Sequence, residues 1–384
     1  MDFGYTEQQE AIRKLVREFA EREVVPGAEE RDATGKWDYT LYRRMGDLGI
    51  TGAYFPEEFG GSNADFLSFC IIMEELFKVD VSLGTGTMVS ISCGRHLVDE
   101  CNDEQKDAWR DKYILPVVRA EATLASAMTE PGGGSDTAAL QTTAVLDNGE
   151  WVIDGSKAFI TNAGLEDNLG VSVVCLTDRK KRDTSFIFVP KGTPGYTVMP
   201  KYRKMGVRSQ DCCELAFDNC RVPVFNLVGQ IGMGRERFVG YLINQARVVA
   251  ASGGLGVIRA CYEASLNYAK QRIAFGRPIS KFQYVQGMLV EMALDLEMGE
   301  LLRNKAAASI EKSWPEQRRL CSMAKWFCTE AAKRMTDYAV QIYGGMGFMD
   351  ECPVSRYYRD VRFLTIGDGT SEIQKVINAH ELGC

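Results

Sequence analysis

Hydrophobic and polar positions change their period twice along the chain. From Thr6 to about Ala122 the spacing is that of helices: Ile12, Leu15, Val16, Phe19 and Ala20 fall on one face, and Leu41, Met45 and Leu48 repeat at similar intervals. Tyr54-Phe55-Pro56-Glu57-Glu58-Phe59-Gly60-Gly61 breaks that run and predicts a loop between helix pairs. After Leu124 the texture becomes β-rich. Trp151-Val152-Ile153, Val171-Ser172-Val173-Val174-Cys175 and Ser185-Phe186-Ile187-Phe188-Val189 are short runs separated by turn-forming residues. A loop at Gly229-Gln230-Ile231-Gly232-Met233-Gly234 closes this part, and helical spacing resumes from Phe238. The pattern predicts an α+β chain: a helical domain over 1–122, a β domain over 123–232 and a helix bundle over 233–384.

This order is not the alternating βαβ of a doubly wound nucleotide fold, so Gly254-Leu255-Gly256-Val257-Ile258-Arg259-Ala260 is not a dinucleotide fingerprint. No strand precedes it, and glycines inside an amphipathic helix predict close helix–helix packing. Gly344-Gly345-Met346-Gly347 follows a helical segment, where it fits either a helix C-cap or a backbone approach to phosphate.

A chain of 384 residues exceeds the usual size of one hydrophobic core, so two or three packed subdomains are expected. No stretch approaches the roughly 18 apolar residues of a membrane span. The opening Met1-Asp2-Phe3-Gly4-Tyr5 has neither the look of a secretory signal nor that of a transit peptide, which predicts a cytoplasmic protein. Net charge is −7 with Lys and Arg dispersed, so no footprint for nucleic acid or an anionic membrane is expected. Twelve cysteines without C-x-x-C spacing and only two histidines, His96 and His380, argue against a zinc site or a Cys–His nucleophile. The thiols read as reduced and mostly buried. Cys212-Cys213 is the sharper alternative as a redox pair, but consecutive side chains in an extended segment point to opposite faces.

Two segments carry candidate chemistry. Met128-Thr129-Glu130-Pro131-Gly132-Gly133-Gly134-Ser135-Asp136 sets hydroxyls around a Gly-rich turn, able to present N–H and O–H donors to a polar ligand or to be a plain turn. Lys157-Ala158-Phe159-Ile160-Thr161-Asn162 puts an aromatic ring and a hydroxyl two apart on an extended segment, suited to stack on and hydrogen-bond a flat ring.

Together with Lys204-Met205-Gly206-Val207-Arg208, Arg272-Ile273-Ala274-Phe275-Gly276, Gln341-Ile342-Tyr343-Gly344-Gly345-Met346-Gly347 and Gly369-Thr370-Ser371-Glu372-Ile373-Gln374, these segments resemble the acyl-CoA dehydrogenase family, in family order and over nearly the whole chain. The resemblance implies a helical N-terminal domain, a central β-barrel or sandwich, a C-terminal four-helix bundle, and FAD as cofactor. Met128, Thr129, Gly134, Ser135, Phe159, Ile160 and Thr161 would hold the flavin and pyrophosphate, with Phe159 standing where many members have Trp. Arg272, Phe275, Gln283, Gln341, Gly344 and Gly345 would grip the FAD of a neighbouring subunit, while Thr370, Ser371 and Glu372 close on the cofactor's own side. A homotetramer is thereby implied, with electron-transfer flavoprotein as the usual electron acceptor.

The reaction of the family takes a proton from Cα of an acyl thioester and a hydride from Cβ, giving an enoyl-CoA. Most short- and medium-chain members carry a Glu base before the last Gly-Thr; here that position is Asp368. The alternative helix position used by some branches is Ala246, so Asp368 is the matched carboxylate, and burial by flavin and acyl chain is expected to raise its pKa. Arg247 would contact the CoA portion beside Asn244, where the family has Asp, and the resemblance implies that Ser135 and Gly369 would also face the substrate. Thr87 and Ser90, in a run of small residues, would line the far end of the acyl pocket. An Asp base reaches less far than Glu, which resembles the alicyclic branch acting on cyclohexane-type carboxyl-CoA. Short straight-chain or dicarboxylic acyl-CoA, a flavin oxidase of the same fold and a non-catalytic flavoprotein stay open.

Overall fold

The computed structural model describes residues 4–238 and 242–384. Helices come first. Thr6 caps α1 (Glu7–Phe19) with a reciprocal side-chain and backbone exchange with Gln9. Asp65 caps α2 (Phe66–Val79), and Asp80 ends α2 while accepting from the Leu83 N–H to start α3 (Val81–Glu100). Both α2 and α3 are buried along nearly their whole length, so their apolar character runs all round rather than along a stripe.

The middle of the chain forms one sheet of eight strands: β1 (Thr123–Ala127), β2 (Thr143–Asp147), β3 (Glu150–Thr161), β4 (Asn168–Asp178), β5 (Asp183–Pro190), β6 (Tyr196–Val198), β7 (Cys212–Pro223) and β8 (Leu227–Val228). The order is β6-β7-β3-β2-β4-β5-β8, with β1 pairing parallel to β4. The alternation of β4 and β5 explains why the sheet sits where it does. Val171, Val173, Ile187 and Val189 join Trp151, Leu215 and Phe217 in a core internal to the β domain. Val174, Leu176, Phe186 and Phe188 point the other way, into the helical core. Phe188 meets Trp109 and Tyr113 at ring separations of 5.3 and 4.7 Å.

Three long helices follow: α4 (Ile243–Gln271), α5 (Gln283–Glu311) and α6 (Gln317–Tyr343), with the shorter α7 (Ser371–Glu381) packed on α6. The helical run expected from Phe238 is preceded by a short helix at Gly234–Arg237, Phe238 is itself helical, and α4 follows from Ile243; residues 239–241 lie outside the described residues. The glycines of α4 are packing glycines, as their helical setting predicts. A Cβ at Gly256 would stand 2.3 Å from the Glu74 carbonyl oxygen of α2, and one at Gly254 would stand 2.8 Å from the Cys328 carbonyl oxygen of α6. Where α2 and α4 cross, Glu74 takes Arg259 at 2.8 Å and the fully buried Arg303 of α5 at 3.0 Å, pinning the first helical domain to the last.

All twelve cysteines are free and eleven are buried. Among the described residues no helix is long and apolar enough to cross a membrane.

Candidate active site

The Gly-rich loop leaves β1 at Met128, and two contacts fix its start. The Ala158 N–H donates to the Thr129 carbonyl (2.8 Å), and the buried Lys157 ammonium donates to the Met128 carbonyl (3.1 Å) and to Glu130 Oε1 (2.9 Å). Glu130 also accepts the N–H groups of Gln141 (2.7 Å) and Thr142 (2.9 Å). Beyond this anchor the loop opens to solvent, Gly134 and Ser135 included, and lines a cleft of about 470 Å³ together with Thr142, Gly155 and Ser156.

On β3 the pairing with β7 slips between Lys157 and Ile160, and Phe159 takes φ 61°. That bulge turns the Phe159 ring outward, 66 % exposed and 5.2 Å from the Tyr202 ring, while Ile160 stays in the core and Thr161 is half-buried. An uncovered aromatic face beside a half-buried hydroxyl and a solvent-open glycine loop fits a flat, polar-edged ring such as a flavin.

Asp368 sits on the turn between a 3₁₀ segment, Val361–Thr365, and α7. Its φ is 54° and that of Gly369 is 89°, so a non-glycine residue occupies the left-handed region. Two buried side chains hold the turn. Gln374 Nε2 donates to the carbonyls of Asp368 (3.1 Å) and Gly369 (2.8 Å), and Lys325 Nζ of α6 donates to the Gly369 carbonyl (2.8 Å). Ser322 orients the Gln374 amide by donating to its Oε1 at 2.8 Å. Among the described residues nothing hydrogen-bonds the half-buried Asp368 carboxylate itself. Burial raises its pKa, against the opposing pull of Lys325 and Arg247.

Arg247 and Asn244, both on α4 and both buried, share a 2.9 Å hydrogen bond, and Arg247 Nε has no partner among the described residues. Burial draws the Arg247 guanidinium down to about 10 and the Lys325 ammonium down to about 8. Two buried cations therefore share the surroundings of one carboxylate.

The remaining sequence-predicted residues divide into three groups. Arg272, Phe275, Gln283, Gln341, Gly344 and Gly345 are all exposed, Phe275 at 96 %, and they lie at the ends of the long helices. Thr370 spends its hydroxyl on the Ile373 N–H as the N-cap of α7, Ser371 is buried with its hydroxyl on Glu330, and Glu372 is exposed. Ser90 is fully buried and its hydroxyl is engaged by Tyr42 at 2.9 Å, whereas the buried Thr87 hydroxyl has no partner among the described residues. Sequence reasoning missed Lys325, Gln374 and the Lys157–Glu130 pair. A signal existed for Lys325: it falls among Cys321, Ala324, Cys328, Ala331 and Ala332 on the buried stripe of α6, where a charge needs a reason.

Models of the acyl-CoA dehydrogenase N-terminal, middle and C-terminal domains match residues 6–114, 125–220 and 232–383. A probable acyl-CoA dehydrogenase of Bacillus subtilis is 36 % identical over 383 residues, covering 100 % of both chains. The solved butyryl-CoA dehydrogenase of Megasphaera elsdenii superposes with a TM-score of 0.94 at 33 % identity, covering 100 % of both chains. A chain solved in work on the electron transferring flavoprotein of Acidaminococcus fermentans gives the same TM-score at 35 % identity, covering 100 % of this chain and 99 % of its own. With three domain models in order and full-length relatives above 30 % identity, the chain belongs to the acyl-CoA dehydrogenase family.

Proposed function

We propose that the chain is an FAD-dependent acyl-CoA dehydrogenase with Asp368 as the base that removes the Cα proton of a compact acyl-CoA. The observation that carries this is the Asp368 turn: a carboxylate that no described residue hydrogen-bonds, in a left-handed conformation held by Gln374 and Lys325, beside the buried Arg247. A base must keep a lone pair open toward substrate and be basic enough to take the proton; burial that raises Asp368, with no described residue bonding its oxygens, supports both.

FAD, when bound, supplies the hydride acceptor for Cβ. Met128, Thr129, Gly134, Ser135, Phe159, Ile160 and Thr161 would hold its ring and pyrophosphate, with Phe159 as aromatic wall. Arg272, Phe275, Gln283, Gln341, Gly344 and Gly345 would reach the FAD of a second subunit. Their shared exposure supports that reading, as do Tyr284 at 93 %, Val290, Leu294, Met298 and Leu301, which leave an apolar face of α5 uncovered. A homotetramer satisfies both. Thr370, Ser371 and Glu372 then act on the cofactor side through the start of α7 rather than through the Thr370 and Ser371 hydroxyls. The Acidaminococcus relative supports an electron-transfer flavoprotein as acceptor, and the buried, unpaired thiols support a cytosolic location.

Arg247, with Asn244, would meet the CoA arm, aided by Ser135 and Gly369, and Thr87 would face the acyl end. Ser90 supports the pocket wall from behind. The short Asp side chain favours a ring or α-branched acyl group, whose Cα can lie closer to the base. Likeness to butyryl-CoA dehydrogenase favours a short straight chain as the second reading.

Anaerobic titration of the FAD-loaded protein with butyryl-, isobutyryl-, glutaryl- and cyclohexanecarboxyl-CoA tests this. Bleaching of the flavin by a compact member of the panel is expected. Bleaching by none would make the chain a flavoprotein scaffold, and peroxide release matching turnover in air would make it an oxidase.

A further inference from the structure

We propose that Lys325 is a positioning residue for the reaction: its buried ammonium clamps the Gly369 carbonyl, fixes the left-handed turn that presents Asp368, and sets its charge against that carboxylate. The inference rests on Asp368 as the base.

The geometry is specific. Lys325 is fully buried on α6, and its hydrogen-bond acceptor is the carbonyl one residue after Asp368, at 2.8 Å. Leaving a Lys in a stripe of Cys and Ala costs desolvation that a Leu or Met would avoid, so the charge is retained for something other than packing. The Asp368–Gly369 turn is the natural object. A non-glycine residue in the left-handed region persists only where its surroundings over-determine it, and here Gln374 and Lys325 grip the two carbonyls. Gln374 alone would hold the turn with a neutral donor. Lys325 adds a charge, and that charge lies close enough to Asp368 to oppose the effect of burial on it.

Other charges bear on the pair. Arg247 of α4 acts on Asp368 in the same sense as Lys325 and repels Lys325 itself; Glu330 of α6 and Glu372 of α7 favour the charged Lys325. Cys321 and Arg318 act on Arg247. The cation at 325 thus has a role distinct from that of Arg247: it belongs to the turn, whereas Arg247 belongs to the CoA side through Asn244.

The test is the pH dependence of flavin reduction in the anaerobic, FAD-loaded enzyme with saturating butyryl-CoA, or the panel member that bleaches it fastest. Lys325→Gln keeps a donor for the Gly369 carbonyl and removes the charge. Its acid-side inflection should move up by about one pH unit, so that well below it the rate falls about tenfold, with the alkaline plateau and KM little changed. Lys325→Met loses clamp and charge, and should show the same shift with a plateau lower by about 10–100-fold. Lys325→Arg should restore the inflection. Thermal midpoint and FAD per chain, measured on each variant, register a purely structural loss. A lowered plateau with an unmoved inflection in Lys325→Gln and Lys325→Met overturns the inference. Asp368→Asn, run alongside, separates this from failure of the base: a wild-type rate there removes Asp368 as base and the inference with it, whereas a lost rate there with an unmoved inflection in the Lys325 variants overturns the inference alone.

Discussion

Replacing Lys157 by Met tests how the Gly-rich loop is built. The Lys157 ammonium is completely buried and bridges Met128 and Glu130, the first and third residues of the Gly-rich motif. Burial pulls the Lys157 ammonium down. Burial alone would push Glu130 up, yet the Thr142 contact and the ammonium bring it below the usual carboxylate range. The two directions oppose each other, so the intact pair is no large net gain, and the cost lies in breaking it. Lys157→Met strands a buried carboxylate, for which about 3–5 kcal/mol is typical; the two N–H donors that remain on Glu130 place the expectation near ~3 kcal/mol. Urea unfolding should register this as a lowered midpoint with an unchanged slope. Adding Glu130→Gln removes the stranded charge and should recover about 2 kcal/mol, a coupling that a double-mutant cycle reads directly. Fluorescence of released FAD should show faster cofactor loss in the single variant, because the same ammonium holds the Met128 carbonyl. Additive single and double variants, or unchanged FAD retention, would refute the reasoning.

Gly256→Ala should destabilise by about 1–3 kcal/mol, since its new Cβ meets Glu74 backbone at 2.3 Å where α2 and α4 cross; an unchanged thermal midpoint would show the helices free to separate. Asp360, buried beneath the Val207 N–H, has a folded pKa raised by burial to about 7. Its folded state therefore binds more protons than the unfolded chain, and stability is fully present below about pH 4 and lost as pH rises toward 7, by at most ~4 kcal/mol. Asp360→Asn should flatten that slope in denaturation followed from pH 4 to 7, and an unaltered slope would assign it elsewhere. Arg272→Ala should lower FAD retention and oligomer size together, as sedimentation with absorbance at the flavin band would detect; a fully flavinated, intact oligomer counts against a cross-subunit grip.

Period alone was enough for most of the fold. In β4 and β5 every second residue faces a different core; the near-continuous apolar runs there read as strands, but which of Val171, Val173, Val174 and Leu176 faces which core is seen only in the structure. The α4 glycines also read correctly, because glycine in a helix without a preceding strand has few other uses. Asp368 and Arg247 were singled out through the family motifs around them. Lys325 was not, because its meaning depends on a carbonyl 44 residues away, and helical periodicity says only that position 325 is buried. Lys157 and Glu130 are separated by 27 residues and meet because the Gly-rich loop folds against β3, where the Ala158 N–H holds the Thr129 carbonyl, a juxtaposition that spacing does not specify. Hydroxyl assignments were the weakest ground. Ser90, Thr370 and Ser371 look alike as potential ligand donors in sequence, yet Ser90 is engaged by Tyr42, Thr370 caps a helix and Ser371 bonds Glu330.

The two sides of the proposed site are built differently, and the difference bears on how the activity is controlled. Asp368, Gln374, Lys325, Arg247 and Asn244 would form a base side drawn from one chain, each group buried or half-buried and tied to α4, α6 or α7. The Arg272, Phe275, Gln283, Gln341 and Gly344 set is exposed on that same chain, with open space around Gly344 and Gly345. Rigid, buried groups keep their geometry in the isolated subunit, whereas exposed ones acquire theirs only against a neighbour. Assembly then affects cofactor retention first and leaves the proton-transfer geometry nearly intact. A dissociated subunit reloaded with excess FAD should accordingly regain most of its rate of flavin reduction, and a lasting deficit at saturating FAD would mean that the base side, too, depends on the neighbour.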